Sequence, residues 1–196
     1  MLSHMAADVE KRRFSVDEYY AMGRAGILSV NDRVELIDGE ILAMTPIGPV
    51  HAIVVDRLGR MLMRGVGDEA LVRVQNPIRL DAFTEPQPDI ALLRLPDDSY
   101  IAAHPQPADI LLVVEVADSS LRYDRDVKAS LYARAAIAEY WLVDPAATTV
   151  TCYASPETGT YREVVVRGRG ESIAPTALPD CTIRVDDLFR SVDTHR

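Results

Sequence analysis

Lysine is almost missing from this chain. Of its 21 basic residues only Lys11 and Lys128 are lysines, and the rest are arginines. Basic residues are also outnumbered: 30 acids give a formal net charge of −9. That balance argues against a protein that coats nucleic acid, because phosphate binding leans on Lys and Arg. It leaves room for an enzyme that meets nucleic acid along one basic face. Cysteine is scarce too. Cys152 and Cys181 stand far apart with no CxxC, so reduced thiols are expected and thiolate zinc is not, while a disulfide between the two stays open. The longest apolar runs, such as "DILLVVEVA", are strand-sized and too short to span a membrane. "MLSHMAADVEKRR" lacks the apolar core of a signal peptide, so a cytoplasmic location is expected. GxGxxG and GxxxxGK[ST] are both absent, which removes the usual nucleotide-binding loops.

What is present is the pattern of a mixed α/β chain. "FSVDEYYAMGRAG" opens a short helix, with Ser15 and Glu18 spaced as a capping box and Gly26 as its stop. "RVELIDGEILAM" reads as a hairpin turning at Asp38-Gly39. "GPVHAIVVDRLGRMLMRGVG" has apolar residues at 50, 53, 54, 58, 61 and 62, a helical period. Strands are expected at about 71–80, 88–94 and 110–117, then an amphipathic helix in "LRYDRDVKASLYARAAIA". "EYWLVDP", "TVTCYAS" and "TYREVVV" continue as a meander, and "TIRVDDLFR" closes the chain. The order predicts an α/β (α+β) fold, a mixed central sheet flanked by helices. One domain over 14–190 is expected, with tails at 1–13 and 191–196.

Two acidic residues sit where acids are costly. Asp89 follows Pro88 at the entrance of "IALL", and Glu115 lies inside "ILLVVEVA", a strand apolar on both faces. Burying a carboxylate costs several kcal/mol unless a cation or hydrogen bonds compensate. Asp89 reads either as a strand-start aspartate or as a ligand. Glu115 reads either as half of a buried ion pair with an arginine or as a ligand. Together, two carboxylates on neighbouring strands suit Mg2+ or Mn2+. On the helix that follows, Asp124, Lys128 and Tyr132 are spaced i, i+4, i+8 and share a face. A solvated Asp–Lys pair is the plain reading. Against it stands the placement of the one internal lysine directly after the acidic strand, where a compact ammonium is not interchangeable with a guanidinium.

Asp89 after Pro88, then Glu115, then a lysine resembles the PD-(D/E)xK signature of restriction-endonuclease-like nucleases. In that pattern the lysine stands two residues after the second acid, and here that position is Ala117. Some branches carry the lysine on the following helix, and Lys128 looks like such a migrated lysine. The order of "VELIDGEILAMTPIGPVH", "NPIRLD", "QPDIALL", "VVEVADSSLRYDRDVKASLYARAAIAEYWLVDP" and "LPDCTIRVDDLF" is similar to one bacterial branch, the Uma-two family. Asp118-Ser119 stands where that family has Ser-Pro, and Ala136 where it has Gly.

The resemblance implies a metal-dependent endonuclease acting on DNA, as a homodimer by analogy with enzymes that cut both strands. It implies Asp89 and Glu115 as ligands for Mg2+ (or Mn2+), helped by the Val116 carbonyl. Lys128 would act on the attacking water and the phosphate, and Glu35 would be the extra N-terminal acid. His51, Gln75 and Tyr132 are accessory candidates, and Arg122 and Arg125 flank Lys128 as phosphate contacts. Without the resemblance, Glu35 reads equally as an outward-facing strand residue and His51 as a cap or packing residue. Two other classes stay open: a catalytically inactive nucleic-acid-binding protein on the same fold, and an assembly protein whose Glu115 is merely ion-paired.

Overall fold

The computed structural model describes residues 11–29, 31–118 and 120–192. Most of the expected tails, and Ser119, lie outside the described residues. The chain begins with α1 (Val16–Arg24), where Ser15 and Glu18 form the reciprocal capping box that their spacing predicts. β1 (Val34–Ile37) and β2 (Glu40–Ala43) pair as a hairpin. Asp38 and Gly39 both take positive φ, 50° and 81°, as a two-residue turn matched to strand twist requires. α2 (Pro49–Val66) buries Val54, Val55, Leu58, Leu62 and Val66. Its buried stripe runs slightly off the expected one: Ile53 is exposed and Met61 only edges the core.

A six-stranded sheet has the order β3 (Leu71–Val74), β4 (Ile90–Leu93), β5 (Ile110–Val116), β6 (Glu139–Asp144), β7 (Thr149–Glu157), β8 (Thr160–Arg167). All neighbours are antiparallel except β5 and β6, which run parallel. Parallel neighbours need a crossover. Here it is α3 (Leu121–Tyr123), a π-helical turn (Asp124–Lys128) and α4 (Ala129–Arg134). The expected helix is thus broken in character and ends earlier than its apolar pattern suggests. Ala136 at φ 57° closes it.

Two of the expected strands are shorter than read. β3 stops at Val74 because Gln75 turns to φ 51°, and Pro86 and Pro88 cannot donate to a ladder. Conversely, β7 runs on through Pro156, and Thr158-Gly159 makes a second tight turn into β8. The closing segment forms β10 (Ile183–Arg184), paired with β9 (Ser172–Ile173), and α5 (Val185–Leu188).

The sheet has an apolar layer on each side. One is built on α2, Trp141 and Phe189. The other packs Ile78, Val113, Tyr132, Tyr140 and Leu142 under the crossover helix and hairpin. Side chains alternate along β5, so Leu112, Val114 and Val116 face α2 while Val113 and Glu115 face the crossover. No described helix is long and apolar enough to cross a membrane.

Candidate active site

Asp89 is the residue before β4, at the end where β4 meets β5. Its Oδ2 accepts from the Val116 amide at 2.8 Å and lies 3.0 Å from His51 Nε2. Its Oδ1 accepts from Gln75 Nε2 at 3.2 Å. Gln75 can reach because the left-handed turn that ends β3 folds the chain back, and its own amide donates to the Asp89 carbonyl. The hydrogen bond to Asp89 raises the His51 pKa, against the opposing effect of burial.

Glu115 is buried at 4 % exposure. Its partner is not an arginine but Lys128, whose Nζ donates to Oε1 at 3.0 Å. Tyr132 Oη donates to the same oxygen at 2.6 Å. Lys128 also lies 3.5 Å from Glu35 Oε2, which accepts from the Gln87 amide at 3.3 Å. Glu35 therefore faces inward, not outward. Burial pushes the Glu115 carboxyl up; Lys128 pulls it back, and Asp89, Asp124 and Glu35 push it further. Burial disfavours the Lys128 ammonium, but Glu115, Glu35 and Asp124 outweigh that and hold its pKa above the ordinary value. Groups this close titrate as a unit.

Asp124 belongs to the same cluster and was not singled out as a site residue. It is 3 % exposed, bonded to the Ser120 hydroxyl, and its pKa is raised chiefly by burial. The signal that could have found it was its i, i+4 relation to Lys128. The π-helical turn, closed by the Ala129 amide on the Asp124 carbonyl, brackets both residues and turns both inward. Such wide turns recur at functional sites.

Glu35, Asp89, Glu115, Val116, Asp124, Lys128 and His51 line one cavity of about 140 Å³. Four of them are carboxylates. Arg122 and Arg125 do not join them: both are exposed, and Arg125 is engaged by Asp126 at 2.7 Å. Two buried polar atoms at this cavity, His51 Nδ1 and Tyr123 Oη, have no hydrogen-bond partner. The donor set is oxygen-rich, the chemistry Mg2+ and Mn2+ favour. Among the described residues no three His, Cys, Asp or Glu side chains converge as a ready ligand cluster. Two carboxylates with a main-chain carbonyl is still a set Mg2+ tolerates, because it keeps several waters.

The mixed six-stranded sheet flanked by helices is the restriction-endonuclease-like architecture expected from the sequence. Residues 16–186 match the Uma2 family, described as "Putative restriction endonuclease", and the chain belongs to that family. A solved structure, a "putative nuclease belonging to DUF820" from Anabaena variabilis ATCC 29413, has the same fold at TM-score 0.73. It is 16% identical, over 91% of this chain and 99% of that one. No curated protein matches the chain.

Proposed function

We propose that this protein is a metal-dependent endonuclease that hydrolyses DNA phosphodiester bonds at the cavity around Glu115. The observation that carries this reading is the internal lysine. Lys128 is buried and set 3.0 Å from Glu115 and 3.5 Å from Glu35, on the sheet end that also holds Asp89. Asp89 and Glu115 would hold Mg2+ or Mn2+, with the Val116 carbonyl as a third donor. When bound, the metal would lower the pKa of a water and offset charge on the phosphate.

The chain's own residues do the rest. Lys128 directs its ammonium at the incoming water and the developing phosphate charge. Tyr132 fixes the Glu115 carboxylate, while the Val116 amide and Gln75 fix Asp89. Preorganisation of this kind keeps the reacting groups within reach before substrate arrives. By analogy with nucleases that cut both strands as dimers, the protein acts as a homodimer. The free edge of β8, with Val164, Val165 and Val166 exposed, suits self-pairing: an antiparallel twofold about Val165 sets Glu163 of each copy opposite Arg167 of the other.

A second reading has an observation of its own. Both Asp89 oxygens already have protein partners, so the cluster could be a satisfied polar network in an inactive nucleic-acid-binding or assembly protein. Calorimetric titration of Mn2+ and Mg2+ into wild type and Asp89→Ala/Glu115→Ala, followed by plasmid cleavage, separates the two. Metal binding lost in the variant, with nicking by wild type alone, supports the nuclease. No metal binding to wild type rejects it.

A further inference from the structure

A second cavity, of about 420 Å³, lies between α1, β3 and the loop around residues 100–104. It is lined by Tyr20 and Arg24 of α1, Arg73 of β3, Arg79, Tyr100 and His104. Three guanidinium groups converge there in a chain with nine more acids than bases. Arg79 is balanced: its Nε donates to the buried Glu85 at 2.9 Å, and Tyr20 Oη donates to the other oxygen at 2.6 Å. Arg24 and Arg73 form no ion pair among the described residues, and the exposed Asp17 is the only acid on the lining. Arg73 Nη2 donates to Asn76 at 3.2 Å, and its Nη1 is buried without a hydrogen-bond partner. Buried polar groups are nearly always satisfied, so one guanidinium nitrogen without a partner beside a cavity calls for an acceptor. Burial holds the His104 imidazole below its usual pKa, with Glu85 opposing and Arg73 and Arg79 lowering it further, as a positive surround should.

The chemistry of the lining narrows the acceptor. Guanidinium forks match phosphate oxygens two at a time. Of the rings beside them, Tyr20 and His104 already stack on each other at 6.4 Å and Arg79 lies over Tyr20, so Tyr100 is the ring left to meet a base. The position narrows it further. Arg73 aligns with Ala91 and Val113 across the sheet, and Glu115 lies two residues beyond Val113. Strand spacings put these backbone positions roughly 12 Å apart. Glu85, under Arg79, bridges to Leu36, the neighbour of Glu35. The two cavities share no lining residue, but these two short connections join their linings.

We propose that this arginine cavity is a phosphate-binding subsite that grips the backbone of a nucleic-acid strand a short distance from the candidate active site. The identity of the strand rests on the nuclease reading; the anion site itself does not. The test is fluorescence anisotropy of a labelled short single-stranded oligonucleotide and its duplex, with calorimetry of inorganic phosphate. The proteins are wild type, Arg24→Gln, Arg73→Gln, the double variant and Glu115→Gln, with folding checked by circular dichroism. The double variant should bind oligonucleotide at least tenfold more weakly. Its single-strand salt slope should shrink by about 1.4, for two lost phosphate contacts. Arg24 is exposed, so Arg24→Gln alone should fold and bind measurably more weakly even if Arg73→Gln does not fold. Unchanged oligonucleotide binding in Arg24→Gln and the double variant overturns the subsite. Arginine-dependent binding of free phosphate without oligonucleotide binding overturns the strand assignment and gives the cavity to a small phosphorylated ligand. The two proposals fail separately. Cleavage lost in Glu115→Gln with binding indifferent to the arginines sinks the subsite alone; arginine-dependent binding without cleavage by any protein sinks the nuclease alone.

Discussion

Lys128 pairs with Glu115 and, in the proposed nuclease, also acts at the phosphate; substitution can separate the two. Removing one partner of a buried pair leaves the other charge uncompensated, at about 3–5 kcal/mol. Lys128→Met should therefore lower stability by about 3 kcal/mol in denaturant titration above pH 8, where the folded Glu115 carboxyl is ionised, and abolish plasmid cleavage. Lys128→Met/Glu115→Gln should recover most of the stability and none of the cleavage. A double variant that cleaves would remove Lys128 from the chemistry. Ala136 yields the opposite kind of prediction. It holds φ 57°, a conformation that strains any residue with a Cβ. Ala136→Gly should stabilise the protein by about 1 kcal/mol, read as a rise in Tm. The sequence flagged Ala136 as a departure from a family glycine; the left-handed turn gives the reason. Asp89, Glu115 and Lys128 were legible because each breaks a local rule, two acids in apolar strands and one lysine among arginines. Asp124 was not, because an acid four residues before a lysine on a helix is what a solvated surface also looks like.

At the scale of elements, packing between α2 and the C-terminal segment has one tight point. A Cβ added at Gly65 would collide with Cys181 Sγ and stand 3.3 Å from its Cβ. Gly65→Ala should then destabilise by about 1–2 kcal/mol despite the better helix propensity of alanine. In a Cys181→Ala background the same change should become neutral or stabilising. A double-mutant cycle by thermal unfolding measures that reversal, and additive effects would deny the contact. Element types were largely readable, since capping at Ser15 and turn chemistry at Asp38-Gly39 are local. Boundaries were less so. The end of β3 depends on a positive φ at Gln75, held by its bonds to Asp89 and by the Gln87 side-chain amide on its carbonyl, and the π-helical turn has no composition of its own.

Across the whole molecule, the buried acids make stability depend on pH. The folded Glu115 carboxyl is raised to about 8 from an ordinary 4.5. A group whose pKa rises on folding stabilises fully below its unfolded value, and that stability is lost as pH climbs through the folded one. Between about pH 4.5 and 8 this group alone should lower Tm, and Glu115→Gln should flatten the slope. A divalent cation bound at the cluster favours the ionised form, so Mg2+ or Mn2+ should raise Tm more at pH 8 than at pH 6. Calorimetric scans at both pH values, with and without metal, check both statements. The proposed β8 pairing belongs to this scale too. Val165→Lys should shift sedimentation from dimer to monomer, and a wild type that sediments as a monomer at every concentration rejects that interface.

The parallel pairing of β5 with β6 has a consequence in time. Glu115 meets Lys128 only once the crossover helix has been folded back by β6, whose partner positions reach Val143. A chain emerging from the ribosome with β5 complete still has its acids apart from their lysine. Until that non-local pairing closes, Glu35, Asp89 and Glu115 have no buried ammonium beside them. On the nuclease reading, the site is therefore incomplete during synthesis until β6 has been made and has paired with β5.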